Sequence, residues 1–183
     1  MKEHFYEDFF YNDDNVNEVD HKGNPYTVES AIGRIVLNFA DLEREFSSVI
    51  AFLLQVKPEA GSTVTAELSF KNKLNLISAL YRQCTVDQES LDWFSALMKL
   101  LQKCEELRNQ IVHSHWFDAR EAGVLRVKPA NSQRKGHFVK SEELLPMHLM
   151  NISDYIAYTI EKTCEYFSCI DGYKSATWEQ IGY

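Results

Sequence analysis

The chain has 183 residues, 45% of them hydrophobic and 25% charged, with a formal net charge of -8 and a pI near 5.2. This is the composition of a folded globular protein with ample core material, not of a disordered one. The acidic balance argues against broad nucleic-acid binding by charge alone, although a local basic site that touches few phosphates needs no basic stripe.

Residues 1–26 are aromatic, acidic and turn-rich, with Phe5, Phe9 and Phe10 followed by Gly23-Asn24-Pro25. They read as an N-terminal arm that packs onto a helical body spanning 27–170. The opening residues hold no apolar core of signal-peptide type, and no stretch approaches the roughly 20 apolar residues of a membrane span. The expected location is therefore cytoplasmic. The four cysteines, Cys84, Cys104, Cys164 and Cys169, form no C-x-x-C pair. They fit reduced thiols, three of them within apolar helical patterns.

Apolar residues recurring at three and four positions predict a helix from about Val28 to Val56, carried by Ile35, Phe39, Leu42, Phe46, Val49 and Ile50. Thr27 is its candidate N-cap, with Ser30 where a capping box prefers Glu or Gln. Lys57-Pro58 and Gly61-Ser62 read as terminators. A second helix is expected from about Ala66 to Cys84, and a third from Gln88 to His113 with Asp87 as N-cap. Helical period is lost from Trp116 to Lys140, where Gly123–Val127 and His137–Val139 suggest a two-stranded hairpin joined by a polar turn. The basic residues here, Arg126, Lys128, Arg134, Lys135 and Lys140, read first as a solvated hairpin tip. A last helix should run from about Met147 to Ile170, followed by a tail, 171–183, anchored by Trp178. The expected fold class is all-α: an up-down four-helix bundle with a β-hairpin insert at about 116–140, before the last long helix.

Residues of catalytic type concentrate in Arg108-Asn109-Gln110-Ile111-Val112-His113-Ser114-His115. Arginine offers a fixed fork of donors that matches phosphate, and histidine exchanges protons near neutral pH. Together they suffice to cleave RNA without a metal, since the 2′-hydroxyl is the nucleophile. Arg108 and His113 lie five positions apart, about 140° around an ideal helix. They converge on one ligand only if the helix frays at its end or a second subunit supplies one of them. The competing reading is a helix C-terminus whose cations complement the macrodipole.

The segment resembles the motif of the HEPN superfamily, in which an arginine followed by a polar residue precedes a histidine by four to six positions near the end of a late helix in a bundle. The resemblance covers roughly residues 28 to 170. It implies a metal-independent endoribonuclease, of a kind frequent in toxin–antitoxin, phage-defence and RNA-processing systems, that dimerises and forms its cleft from both copies of the motif. It assigns Arg108 to phosphate stabilisation, His113 to proton transfer and Asn109 to orienting the site. His115 also satisfies the looser spacing and stands as an alternative or auxiliary to His113. Glu43 or Glu45 is a further acidic candidate. The other class of reading is a non-catalytic interaction module that binds an antitoxin or another protein partner. No cofactor is expected: G-x-S-x-G, G-x-G-x-x-G and Walker patterns are missing from the sequence. His113-x-His115 is at most half of a metal site, with no third ligand at helical spacing. Tyr155, Tyr158 and Tyr166 read as packing residues rather than a base-stacking platform, and Asp41 to Glu45 as a solvated charged face.

Overall fold

In a computed structural model of the chain, the residues described are 27–118, 124–132 and 136–170. The expected N-terminal arm and C-terminal tail lie outside them. The described residues are mostly helical and carry one small sheet. The elements in chain order are α1 (Val28–Leu53), α2 (Pro58–Thr65), α3 (Phe70–Cys84), α4 (Gln88–Val112), β1 (His115–Asp118), β2 (Val124–Ser132), β3 (Gly136–Leu144) and α5 (Pro146–Ser168). None of the described helices is long and apolar enough to cross a membrane.

The helix starts follow from local chemistry. Thr27 and Ser30 form a reciprocal cap: the Thr27 N–H donates to Ser30 Oγ at 3.0 Å, and the Ser30 N–H donates to Thr27 Oγ1 at 3.2 Å. Serine thus fills the place where glutamate is usual. Asp87 Oδ2 accepts from the Ser90 N–H at 2.8 Å, which caps α4 as expected and holds the Asp87 carboxyl below its usual range. The second expected helix begins later than its periodicity suggests, because Ser69 accepts from the Asn72 N–H and caps α3 at Phe70.

The segment read as terminators is itself a helix. Pro58 occupies the first turn of α2, where its missing N–H costs nothing. Gly61 is buried, and a Cβ there would lie 2.4 Å from Ala51 Cβ and 2.9 Å from the Ser47 carbonyl. This glycine permits contact with α1 rather than breaking a helix. Thr65 Oγ1, also buried, lies 2.8 Å from Ser47 Oγ and fastens the same contact.

By contacts the chain forms two compact units, and α1, α4 and α5 each contribute a segment to both. The first unit combines the described residues up to Val36 with those from Leu107 to Tyr155. Ala31, Ile35, Leu107, Ile111, Leu149 and Met150 are buried in it. Arg34 and Asp154 form a half-exposed ion pair at 3.8 Å, and such pairs add little to stability. The second unit combines Leu37–Glu106 with the described residues from Ile156 onward. Its centre is aromatic. Phe70 packs between Phe39 and Phe46 at 4.6 and 4.9 Å, and Tyr81 stacks on Phe94 at 4.2 Å. Each buried ring contributes roughly 1.5–3 kcal/mol through the area it removes from water. Helices α4 and α5 run antiparallel here, since Phe94 meets Tyr166 while Cys104, further along α4, bonds Thr159, earlier in α5. Tyr166 also bonds Tyr81 and donates to the Ser90 carbonyl at 3.0 Å, so it packs here, as Tyr155 does within the first unit.

The expected two-stranded hairpin is a three-stranded antiparallel sheet in the order β1-β2-β3. Its added edge, β1, comes from Trp116-Phe117 and their neighbours, directly after α4. Strands β2 and β3 are longer than expected and pair from Val124↔Leu144 to Ser132↔Gly136. Pro129 lies within β2 instead of in the turn.

Candidate functional site

The Arg108 segment lies in the last turn of α4, in the first unit. No glycine ends this helix, so its terminal carbonyls must find other donors. They find them locally and across the sheet. The Asn109 carbonyl accepts from the His113 N–H at 3.2 Å. The Gln110 carbonyl accepts from Ser114 Oγ and, at 3.2 Å, from Arg126 Nη1 of β2. The Ile111 carbonyl accepts from Trp116 Nε1 of β1 at 3.2 Å. Arg126 also pairs with Glu142 of β3, and its side chain is only 15% exposed. A cation at a helix C-terminus is favoured by the macrodipole as well as by the hydrogen bond. Arg126, which the sequence suggested was part of a solvated tip, is thus a clamp between sheet and helix. Arg134 and Lys135 of that cluster lie outside the described residues.

Within the motif, Arg108 Nη1 donates to Asn109 Oδ1 at 2.9 Å, and both side chains are half-buried. The asparagine oxygen thus accepts from one edge of the guanidinium. His113 follows the last helical residue, in the turn, and its side chain is exposed. The His113 N–H still bonds the Asn109 carbonyl four residues back, so the backbone keeps its helical pattern as far as His113.

His115 sits differently. It opens β1 opposite Val127, while its neighbour Trp116 stands opposite Arg126, which in turn stands opposite Glu142. Alternation along a strand sends successive side chains to opposite faces. Trp116 and Arg126 both bond the end of α4, so their sheet face is the one turned to the motif helix. His115 and Phe117 occupy the other face, and both are exposed. The structure therefore brings Arg108 and Asn109 together, exposes His113 just beyond them, and turns His115 away.

The acidic candidates lie in the second unit. Glu43 is 3.9 Å from Lys73 Nζ, and Glu45 is buried. Asp41 pairs with Arg44 one turn along α1, as a solvated charged face would. Among the described residues no group of three or more His, Cys, Asp or Glu is arranged to hold a metal ion. Trp116 and Arg126 were not singled out from sequence as parts of this site. No local signal marks them, because their partners are carbonyls on another element.

No protein-family model matches the sequence, and no match is found among curated proteins or solved structures. Fold and site together define a mostly helical protein in which a small antiparallel sheet braces the end of an Arg/His-bearing helix.

Proposed function

We propose that the chain is a metal-independent endoribonuclease of HEPN type, a four-helix bundle with a sheet insert that works as a homodimer in a toxin–antitoxin or phage-defence setting. The observation that carries this reading is the Asn109-held guanidinium of Arg108 followed, past the end of α4, by the exposed imidazole of His113. In the proposed reaction His113 takes the proton from the 2′-hydroxyl of RNA. The 2′ oxygen attacks the adjacent phosphorus, and the bond to the 5′ oxygen breaks. A second imidazole, His113 of the partner subunit, returns a proton to that oxygen. The products are a 2′,3′-cyclic phosphate and a 5′-hydroxyl. Arg108 stabilises the charge that builds on the equatorial oxygens, where a preorganised donor counts most. The test is cleavage of single-stranded and structured RNA in the presence of chelator by the wild type, Arg108→Ala and His113→Ala. Equal inertness or equal activity of all three rules out the assignment.

A second reading, a non-catalytic module for an antitoxin or other protein partner, draws support from apolar side chains left in water. Trp93 on α4 is 57% exposed and Val86, between α3 and α4, 96%. Exposed tryptophan is enriched among interface anchors. An inert wild type whose association with a partner is lost in Trp93→Ala favours this reading over the first.

A further inference from the structure

Charge is spread unevenly along the chain. Residues 107–155, which supply most of the first unit, hold seven arginines and lysines against five acids, although the whole chain carries -8. The excess sits in the sheet, where the stretch 124–140 has five basic residues and no acidic one. Arg134 and Lys135 lie outside the described residues, and Arg126 is engaged by Glu142 and the Gln110 carbonyl. The remaining two, Lys128 and Lys140, stand directly opposite each other in the β2–β3 ladder. Like charges in that position destabilise a sheet. Both belong to the face of Arg126, because residues two apart along a strand share a face. The acids on that face are Glu142, taken by Arg126, and Asp118, which stands opposite Val124, about 14 Å along β2 from Lys128 at 3.4 Å per residue. Three cations thus share one nearby carboxylate.

We infer that Lys128 and Lys140 form a phosphate subsite that holds the backbone of an RNA strand beside the turn carrying His113. His115 pairs with Val127, so β2 runs on past the start of β1, toward the residues that precede it. Lys128 is the next residue of β2, and His113 lies two residues before His115. At 3.8 Å per residue step and about 5.5 Å across a pair, their Cα atoms are no more than about 17 Å apart. A strand of about five nucleotides spans this at 3.4 Å of rise each. All of these residues belong to the first unit. Two ammonium groups that repel each other gain from an anion placed between them. They act on phosphate as point charges, without reading sequence. The local excess also draws a polyanion to this part of an otherwise acidic protein. The nearness to the Arg108–His113 segment favours RNA over an acidic protein segment as that polyanion. The inference rests on the nuclease reading for its ligand, and it adds the residues that hold the strand rather than cut it.

Fluorescence anisotropy of the full chain with a 2′-O-methyl RNA oligonucleotide, which lacks the 2′ nucleophile and cannot be cut, tests it. The wild type is expected to bind, with an affinity that falls as salt rises. Lys128→Ala and Lys140→Ala should each weaken binding by about three- to tenfold, equally for unrelated sequences, and each should reduce the salt slope by about 0.7. Lys128→Arg and Lys140→Arg should bind like the wild type. Lys71→Ala, at an exposed residue of α3 in the second unit, should change nothing. Lys128→Glu separates binding from folding. It sets opposite charges across the ladder, so its urea midpoint should rise while its RNA affinity falls below that of Lys128→Ala. A wild type that does not bind at low salt overturns the inference. So do alanine variants with wild-type affinity and salt slope, which would leave the lysines as charges that blunt strand edges. A poly-glutamate chain that binds as tightly as the RNA overturns it in favour of an acidic protein partner. A wild type that binds through the two lysines yet never cuts ordinary RNA ends the nuclease reading alone. One that cuts RNA while its binding ignores them ends this inference alone.

Discussion

Arg126, on the central strand of the sheet, donates through Nη1 to the carbonyl of Gln110, 16 residues earlier, at 3.2 Å. That bond ties β2 to the turn of α4 that carries Arg108 and Asn109. With Trp116 Nε1 on the Ile111 carbonyl, it satisfies a helix end that no glycine closes. Arg126→Ala should therefore destabilise the protein by about 1–3 kcal/mol, because a mostly buried carbonyl-bound cation and its Glu142 partner lose each other. Arg126→Lys keeps the charge but not the fork, and should recover only part of that loss. Urea denaturation of the three proteins measures it, and an Arg126→Ala midpoint equal to wild type would show the clamp to be idle.

If the nuclease reading holds, the two histidines should separate cleanly. His113 lies just beyond the motif turn, whereas strand alternation puts His115 on the sheet face opposite Trp116 and Arg126. His113→Ala should lower the cleavage rate by about 10²–10⁴-fold, the usual contribution of a proton-transfer group. His115→Ala should change it by less than about twofold, the residual expected of an exposed side chain off the motif face. Single-turnover rates on one RNA substrate decide, and a larger loss from His115→Ala would reverse the assignment.

Much of this arrangement is legible in the sequence, and the rest is not, because local patterns report local structure. The long helices announced themselves because Phe39, Leu42 and Phe46, or Phe94, Leu97 and Leu101, repeat at the helical period and are indeed buried. Asp87 and Thr27 were readable as caps because capping is local. Helix α2 was missed because Pro58 and Gly61 usually punctuate. Here Pro58 starts a helix and Gly61 serves a close approach to Ala51 that only tertiary structure reveals. Strand β1 was missed because four residues are too few for alternation to stand out. The clamp by Arg126 was not readable, since charge clustering favours a solvated tip and its acceptor is a backbone carbonyl.

The two helical glycines should respond to alanine with opposite signs. At Gly61 the new Cβ would sit 2.4 Å from Ala51 Cβ and 2.9 Å from the Ser47 carbonyl, and backbone cannot give way cheaply. Gly61→Ala should destabilise by about 1–3 kcal/mol, the range for overpacking. At Gly33 there is open space, so Gly33→Ala should stabilise by about 0.5–1 kcal/mol through helix propensity. Thermal unfolding at concentrations low enough to keep the chain monomeric reads both. Equal shifts in one direction would show that local propensity, not the α1–α2 contact, governs Gly61.

The four thiols should divide by burial, and the division carries a pH dependence. Cys84 and Cys169 are exposed, Cys164 is half-buried and Cys104 is buried. Burial pushes the Cys104 thiol up from 9.0 to about 12, against a smaller downward pull from its hydrogen bond with Thr159. A three-unit rise cuts its thiolate fraction near pH 8 to about a thousandth of the ordinary value, and only the thiolate reacts. Disulfide-exchange reagents should therefore modify Cys84 and Cys169 first, and Cys104 only on unfolding. The sign of the linkage follows from the same shift. The folded state favours the protonated thiol, so its contribution is fully present below the unfolded value near 9. Above that the unfolded chain ionises while the folded one does not, and stability should fall by up to about 1.4 kcal/mol per pH unit until the folded thiol titrates near 12. Denaturation of wild type and Cys104→Ala between pH 8 and 10.5 isolates this slope, because the other titrating groups are common to both. Parallel stability curves for the two proteins would mean that Cys104 reaches solvent in the folded state.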